Sequence, residues 1–211
     1  MRSQKFDLQY YLMLIVDLYS LTKTYNNPND FIFNAINSGV NMVQIRDTKS
    51  NYSNKLSLIN EIKTKFKNKC TVIVNSDYRL ASESNADGIQ IKASDWENFN
   101  FSNLRPNLLI GKSTHLYDNH ENNKIQKPNY IIFGTIFKSK SHLQTNPIGL
   151  DKFNSIKKKY QCPLIAIGGI NVNNVSEVIK SGADGAAFIT GIINSKNPYS
   201  TIKKIKSKLS K

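Results

Sequence analysis

A repeat of short apolar runs along the whole chain is the feature that most constrains the fold. Eight β-rich runs start about 25 residues apart on average, and most are continuously apolar rather than alternating in polarity. The runs are Leu12–Val16, Met42–Ile45, Thr71–Val74, Gly88–Ile91, Leu108–Ile110, Tyr130–Phe133, Leu164–Ile167 and Ala186–Ile189. Continuous apolar runs are typical of parallel strands that are buried on both faces. We therefore expect a parallel sheet that is covered on both sides.

Helical patterns lie between most of these runs. Tyr52–Phe66 carries an apolar stripe at helical spacing, and Pro28–Ser38 begins with Pro and stops at Gly39. Three further segments show such a pattern, namely Leu150–Tyr160, Asn173–Ser181 and Pro198–Leu209. The links after the third and fourth runs are shorter, and the helical pattern is weaker there. This alternation within 211 residues predicts one α/β domain over residues 1–211, a single (β/α)8 TIM barrel, with a doubly wound open sheet as the alternative.

A small internal echo supports the repeat. Similar segments stand at the start of three runs, and each carries a small or αL-tolerant residue: Ser38–Asn41 at the second run, Asn85–Gly88 at the fourth and Ser181–Gly185 at the eighth. In each case a helix end turns directly into a strand.

The formal net charge of +14 allows two interpretations. One is a nucleic-acid or anionic membrane partner. The other is the codon usage of an AT-rich genome, because Lys, Asn and Ile are all abundant while Arg, which is favoured for bidentate phosphate or guanine contacts, is scarce. No run approaches the roughly 20 apolar residues of a membrane helix. We expect no nucleic acid and no membrane as partners, and small phosphorylated substrates fit either interpretation.

The cysteine content and the start of the chain predict a cytoplasmic protein. Cys70 and Cys162 form neither a disulfide framework nor a zinc motif. The first apolar run is followed at once by Asp17, and no cleavage site of a signal peptide comes after it.

The residues at the ends of the runs are candidates for chemistry, because the active site of a (β/α)8 barrel lies at the carboxyl ends of its strands. These residues are mostly polar, small or charged, which a purely structural rim would not need. They include Gln44, Arg46, Asn75, Ser76, Asp77, Asp95, Ser113, Lys138, Ser139, Lys140, Ser141, His142, Gly168, Gly169 and Thr190.

The strongest local signal is a buried strand that runs into two glycines. Ile165–Ile167 leads into Gly168 and Gly169, and the last run ends at Ile189 followed by Thr190. Glycine lets an anion approach the backbone closely, and the loops after strands seven and eight form the usual phosphate site of this fold. The pattern predicts a phosphate site at these two loops; the alternative is a pair of tight turns without a ligand.

At these positions the sequence resembles the thiamine phosphate synthase and thiazole tautomerase superfamily, from about Leu12 to Leu209. Val43–Asp47 is similar to its Gln-x-Arg-x-Lys segment, and Gly111–His115 matches its Gly-x-Ser-x-His segment. The other matching segments are Val74–Asp77, Ala86–Asp95, Phe133–Phe137, Pro147–Leu150, Pro163–Ile170 and Gly182–Ile189.

The resemblance implies a (β/α)8 barrel and a transferase of thiamine biosynthesis. Such a synthase couples hydroxymethylpyrimidine diphosphate to thiazole phosphate and releases diphosphate, with Mg²⁺ and cationic side chains on the leaving group. The resemblance also implies that a homodimer can form.

Roles for single residues follow from the resemblance alone. Gln44, Arg46 and Asn75 would hold the pyrimidine diphosphate, and Ser113 would touch the pyrimidine. The catalytic set would be Arg46, Asn75, Ser113 and Lys140. Ser139 and Ser141 would hold the thiazole substrate, and Gly169, with Ile189 and Thr190, would bind its phosphate. The predicted substrate-binding residues also include Gly168 and His142.

The metal side of the site departs from the family pattern. Asp95 would ligate Mg²⁺, whereas the second metal aspartate falls on Ser76, with Asp77 as the neighbouring carboxylate. The lysine of Gln-x-Arg-x-Lys falls on Thr48, a later lysine falls on His142, and a Gly-Gln-Glu stretch is replaced by three other residues, Lys92, Ala93 and Ser94. Each lost charge-assisted contact is worth roughly 1.5–3 kcal/mol. The lysines close enough to compensate are Lys49, Lys92, Lys138 and Lys140.

Three functions remain open on these residues. The first is a divergent thiamine phosphate synthase. The second is a thiazole phosphate tautomerase, which needs no diphosphate site but has Thr135 where that branch uses a histidine. The third is a non-catalytic protein that binds a phosphorylated ligand on the same scaffold.

Overall fold

The computed structural model describes residues 10–67, 69–115, 126–139 and 146–209. Eight parallel strands close into a barrel in sequence order, and the last strand pairs with the first, with Leu14 opposite Phe188. The strands are Tyr11–Val16 (β1), Met42–Ile45 (β2), Thr71–Asn75 (β3), Gly88–Ile91 (β4), Leu109–Thr114 (β5), Tyr130–Gly134 (β6), Leu164–Ile167 (β7) and Gly185–Phe188 (β8). The predicted (β/α)8 barrel is confirmed, and the open sheet is excluded.

Helices cover the outside of the barrel. Those of the described ranges are Leu18–Leu21 (α1), Pro28–Ser38 (α2), Tyr52–Phe66 (α3), Tyr78–Glu83 (α4), Leu150–Lys157 (α5), Val175–Lys180 (α6), Thr190–Ile193 (α7) and Pro198–Leu209 (α8). Helices α2, α3 and α8 have the predicted bounds. Helix α5 ends three residues earlier than predicted, in a segment that leads to Pro163, where a helix cannot continue. In this part of the chain, none of the helices has the length and hydropathy that a bilayer crossing requires.

The sequence pattern missed the short helix α1 and indicated α4 only weakly, because side-chain caps, not apolar periodicity, define both helices. The Asp17 carboxylate accepts a hydrogen bond from the Ser20 amide, and the Asp77 carboxylate accepts one from the Leu80 amide. Such caps stabilise a first helical turn that is too short to show a stripe. After β4 there are only two single turns of 3-10 helix, Ala93–Asp95 and Phe101–Asn103.

The interior of the barrel is filled except at one end. Inward side chains form a core of their own, namely Tyr11, Met13, Ile15, Met42, Ile73, Tyr130, Ile132, Ile165 and Ala187. Gly111 makes room for its neighbours, because a Cβ there would lie 2.3 Å from both Gln90 Oε1 and Tyr130 Cζ. This packing closes the barrel below the carboxyl ends of the strands, so a cavity can open only at that end.

A repeated hydrogen-bond pattern closes the opposite rim. An Asn or Asp lies directly before β2, β4, β6 and β8, and each forms two hydrogen bonds with one residue of the strand that precedes it in the chain. The side chain of the Asn or Asp accepts from the amide of that residue, and its backbone amide donates to the carbonyl of the same residue, at 2.6–3.2 Å. The pairs are Asn41 with Leu12, Asp87 with Val72, Asn129 with Ile110 and Asp184 with Leu164. We call these four residues the amino-terminal clamp. The internal echo in the sequence contains three of them.

Candidate functional site

A cavity of about 740 Å³ opens at the carboxyl ends of the strands. This volume lies within the usual range of small-molecule sites. All eight strands contribute residues at or just beyond their ends. Of the predicted site residues, Gln44, Arg46, Asn75, Ser113, Ser139, Gly168, Gly169, Ile189 and Thr190 line the cavity. Lys140, Ser141 and His142 lie outside the described residues, so their roles stay predictions.

The side from β2 to β5 is lined by polar side chains. Gln44 projects inward from β2 and is only 2% exposed, and its Nε2 has no hydrogen-bond partner among the described residues. A buried amide that lacks a partner costs free energy, so this group favours an acceptor that enters the cavity. Asn75 lies at the end of β3, where its Nδ2 donates to Ser76 Oγ at 3.3 Å.

Ser113 is held by a residue that the sequence analysis missed. Gln90 on β4 is 1% exposed, and its Nε2 donates to Ser113 Oγ at 3.0 Å. Because the oxygen of Ser113 accepts this bond, its own O–H can donate to an acceptor in the cavity. Ser113 was expected after the fifth strand, but it lies within β5, because the strand continues past the apolar run through Gly111 and Lys112.

The side formed by β6, β7 and β8 is lined by backbone. Gly168 and Gly169 have φ values of +103° and +64°, which favour glycine. A Cβ would lie 2.5 Å from Thr135 Cγ2 at Gly168, and 2.6 Å from the Lys138 carbonyl oxygen at Gly169. Both conformation and space therefore require these two glycines, and the loop after β7 packs against the loop after β6.

Four backbone amides point to an anion at this side. Within the described ranges, the amides of Gly168, Gly169, Thr190 and Gly191 donate to no protein acceptor. The two loops touch, because a Cβ on Gly191 would lie 2.6 Å from the carbonyl oxygen of Ile170. We call these four amides the amide cradle. Free amides that converge on one cavity are suited to a phosphate group.

The charge of the cavity is positive. Arg46, Lys92 and Lys138 line it with exposed side chains, and none of the three makes an ion pair within the described part of the chain. No Asp or Glu is among the described lining residues. His115 also lines the cavity, and its Nδ1 is hydrogen-bonded to the carbonyl of Gly134. Unpaired cations in a concave site attract anionic ligands.

Among the lysines that were predicted to compensate for the lost charges, Lys92 and Lys138 line the cavity, whereas Lys49 does not. Its Nζ lies 5.0 Å from the centroid of the Tyr19 ring, and the side chain does not line the cavity. Thr48 is exposed in the same turn. Asp47 organises that turn by accepting hydrogen bonds from the amides of Tyr19, Lys49 and Ser50.

The predicted metal ligands do not assemble a Mg²⁺ site. The Asp77 carboxylate caps α4 through the Leu80 amide at 2.9 Å and lies 3.7 Å from Lys55 Nζ. Asp95 is exposed, accepts from Ser94 Oγ at 2.7 Å and does not line the cavity. Ser76 brings no charge. Among the described residues there is no cluster of three or more His, Cys, Asp or Glu side chains that could hold a metal. Mg²⁺ in such sites is usually held by one or two carboxylates together with substrate phosphates, and neither Asp77 nor Asp95 lines the cavity to serve as such a carboxylate.

Comparison with known proteins agrees with this fold. The family model described as thiamine monophosphate synthase matches residues 12–192. The thiamine-phosphate synthase of Staphylococcus epidermidis is 31% identical over 176 residues, which are 80% of this chain and 82% of that protein. The thiamine-phosphate synthase of Methanocella arvoryzae is 29% identical over 206 residues, which are 96% of each chain. The solved structure of thiamine phosphate pyrophosphorylase from Pyrococcus furiosus has the same fold, with a TM-score of 0.76, 22% identity and coverage of 95% of this chain and 96% of that one. The chain belongs to the thiamine monophosphate synthase family.

Proposed function

We propose that this protein is a thiamine phosphate synthase, a transferase that joins hydroxymethylpyrimidine diphosphate and thiazole phosphate. The observation that supports the proposal is the presence, in one cavity, of two different groups of donors that are each suited to an anion. One is the amide cradle, and the other is the polar and cationic side with Gln44, Arg46 and Lys92. A reaction between a phosphate monoester and a diphosphate ester needs two such surfaces that face each other.

The amide cradle suits the phosphate monoester. Backbone N–H groups hold a phosphate without long side chains, and their position is fixed by the glycine turns. Asn174 adds to this rigidity, because its Nδ2 donates to the Gly169 carbonyl at 3.0 Å. In the proposal, Gly168, Gly169 and Thr190 bind the thiazole phosphate with Ile189 beside them, as the sequence predicts, and Ser139, Ser141 and His142 keep their predicted roles on the same substrate.

The polar side suits the pyrimidine and its diphosphate. The buried Nε2 of Gln44, which has no partner among the described residues, and the O–H of the half-buried Ser113 are two donors for acceptor atoms of the substrate. Arg46 supplies a guanidinium, which binds phosphate oxygens in bidentate geometry. Asn75 completes this group at the end of β3.

The chemistry needs alignment and charge more than proton transfer. The bond between the pyrimidine methylene carbon and the bridging oxygen breaks, and its electron pair leaves with the diphosphate. The lone pair of the thiazole nitrogen forms the new carbon–nitrogen bond, so nothing is oxidised or reduced. Cations that face the departing diphosphate lower the barrier, and the two surfaces hold the reacting atoms in line. Lys140 is predicted to join Arg46 in this task.

Mg²⁺ and the partner expectations stay predictions. The sequence predicts Asp95 as the carboxylate for Mg²⁺, but Asp95 does not line the cavity and belongs to no metal-binding cluster among the described residues. The predicted absence of nucleic-acid binding can be checked by DNA retention at physiological salt, where weak retention is expected. The homodimer and the cytoplasmic location also remain proposals; two free cysteines, Cys70 and Cys162, support the latter.

The tautomerase is the second candidate, and His115 favours it. This imidazole lines the cavity and is hydrogen-bonded to the strand β6 glycine, so it could move a proton where Thr135 cannot. Thr135 is buried, and its methyl group packs against Gly168.

The deciding experiment gives purified protein both substrates, with and without Mg²⁺, and measures thiamine phosphate and diphosphate. We expect both products in equal amounts. Conversion of one thiazole phosphate isomer into another without coupling would favour the tautomerase. Tight binding of thiazole phosphate without any turnover would favour a binding protein.

A further inference from the structure

The cations at the mouth of the cavity differ from most other charged groups near the ends of the strands. The half-buried lysines Lys55, Lys63 and Lys157 each lie within 4 Å of an aspartate. By contrast, Arg46 and Lys92 are exposed residues of the cavity lining, and neither makes an ion pair within the described ranges. Unpaired positive charge is therefore concentrated where a ligand would sit.

Lys92 has a defined position at this mouth. It follows β4 directly, with extended backbone at φ −68° and ψ 153°, and precedes the 3-10 turn Ala93–Asp95. The Ser76 amide donates to the Gln90 carbonyl at 2.9 Å, so the turn after β3 lies against the end of the strand from which Lys92 projects. The ammonium group is thus carried by the same part of the rim as Ser76 and Asp95.

A divalent cation has little to bind in this region. Asp77 is committed to capping α4 and to Lys55, and Asp95 accepts a hydrogen bond from Ser94 and lies outside the cavity lining. The lining contains no carboxylate among the described residues. A bare Mg²⁺ would face unpaired cations, which repel it. An anionic ligand meets the opposite situation, since ammonium and guanidinium groups bind phosphate oxygens directly.

We propose that Lys92 is a diphosphate-binding residue, and that this protein binds diphosphate through Lys92 and Arg46 without a divalent cation. The inference rests on the proposed function, which brings a diphosphate ester to this side of the cavity. It assigns to one lysine the neutralisation that a metal on paired carboxylates would otherwise provide. The rival explanation is that Lys92 is a solvated surface lysine with no contact to a ligand.

The test measures binding of inorganic pyrophosphate to the full-length protein by calorimetry in EDTA at physiological salt. We expect wild-type protein to bind and Lys92→Ala to bind about 10- to 100-fold more weakly, the effect of one charge-assisted contact. Lys92→Arg should restore most of the affinity. The matched control is Lys69→Ala, which removes another exposed lysine, close to the amino end of β3 at the other rim, and should change the affinity less than twofold.

Addition of Mg²⁺ gives the second arm. Wild-type affinity for pyrophosphate should change less than threefold, whereas Ser76→Asp should bind pyrophosphate more weakly in EDTA and regain affinity with Mg²⁺. Wild-type binding that appears only with Mg²⁺, or unchanged binding by Lys92→Ala, would overturn the inference.

The coupling assay separates this inference from the proposed function. If the wild-type protein makes thiamine phosphate while Lys92→Ala binds pyrophosphate with normal affinity, the proposed role of Lys92 is wrong and the proposed function is supported. If Lys92→Ala loses pyrophosphate affinity as expected but wild-type protein makes no thiamine phosphate, the role of Lys92 stands and the synthase assignment falls.

Discussion

The two rims of the barrel use polar side chains in opposite ways. At the amino-terminal rim, the clamp residues Asn41, Asp87, Asn129 and Asp184 satisfy both the amide and the carbonyl of their partner residues, and the two aspartates also pair with lysines. At the carboxyl-terminal rim, Arg46, Lys92 and the amide of Gln44 have no such partners within the described ranges.

The contrast separates stability from binding. Groups that are satisfied inside the protein stabilise the fold and have nothing left for a ligand. A buried group that has no hydrogen-bond partner in the free protein lowers the stability of the fold, and a ligand that supplies the partner removes this cost. We therefore expect substitutions at one rim to change unfolding without changing substrate affinity, and the reverse at the other rim.

The largest effect is expected at the amide cradle. Gly169→Ala places a Cβ 2.6 Å from the Lys138 carbonyl oxygen at φ +64°, so the loop must shift and the cradle is displaced. A displacement near 1 Å costs about 100-fold in rate, and we expect such a loss of kcat/KM with thiazole phosphate. Gly149→Ala is the matched control, because Gly149 also has a positive φ of +77° but nothing lies within 4 Å of its Cβ position. Equal losses of activity in both variants would contradict the role of the cradle.

The clamp should give the next effect, on stability alone. Asp184→Ala removes the acceptor of the Leu164 amide at 2.6 Å and leaves Lys157 without its partner. We expect the free energy of unfolding in urea to fall by about 2–3 kcal/mol with unchanged KM values. Asp184→Asn keeps an acceptor of the kind that Asn41 and Asn129 provide, so it should cost less than about 1 kcal/mol. A raised KM in Asp184→Ala would contradict the view that the amino-terminal rim affects stability and not substrate binding.

Gln44→Leu should show the reverse pattern. The substitution removes a buried amide whose Nε2 has no described partner, so the unfolding free energy should stay the same or rise. Affinity for the pyrimidine diphosphate should fall about tenfold, because one hydrogen bond to the substrate is lost. Calorimetry and urea unfolding measure the two effects; a clear loss of stability would show that Gln44 is satisfied within the protein.

Asp47 is an exception to this comparison. It lies at the carboxyl-terminal rim, but its carboxylate accepts hydrogen bonds from three backbone amides of the protein. Burial acts to raise the pKa of Asp47, but the hydrogen bonds from Ser50, Lys49 and Tyr19 outweigh it, so the pKa lies below its ordinary value of 3.8. A lowered pKa means that the carboxylate stabilises the fold at neutral pH, and that this contribution is lost as the pH falls from the ordinary value through the lowered one.

The smallest expected effect follows from this shift. Asp47→Asn should lower the unfolding free energy by about 1 kcal/mol at pH 7. The difference from wild type should shrink below about pH 4, because the Asp47 carboxyl binds a proton there in the unfolded chain and only at lower pH in the folded protein. Urea unfolding between pH 7 and pH 3 measures this difference in unfolding free energy. A difference that grows as the pH falls would contradict the prediction.

The strands and the long helices were predictable because one physical rule defines them. Strands buried on both faces must be continuously apolar, and α3 must present an apolar stripe to the barrel, so sequence shows both. The rule fails at the mouth, where inward positions face a cavity and become polar: the fifth run stops at Ile110 although β5 continues to Thr114, and Gln90 is hidden inside the apolar run Gly88–Ile91.

The candidate site was predictable in its position more than in its details. The glycines after β7 could be identified because their backbone leaves no room for a Cβ, which is a constraint on residue type. By contrast, an aspartate fits equally well as a metal ligand or as a helix cap, so the residue type does not reveal which role it has. Asp77 follows a strand as a metal ligand would, but three-dimensional packing gives it the Leu80 amide and Lys55. The clamp role of Asn129 was also missed, because it appears only when β5 and β6 lie side by side.

The most direct test of the two-surface account is a crystal structure with thiazole phosphate and pyrophosphate bound together. The account predicts the ester phosphate within hydrogen-bond distance of the amides of Gly169 and Thr190, and the pyrophosphate against Arg46 and Lys92 on the facing side of the same cavity. A structure in which the amide cradle stays empty while both anions bind elsewhere would contradict it.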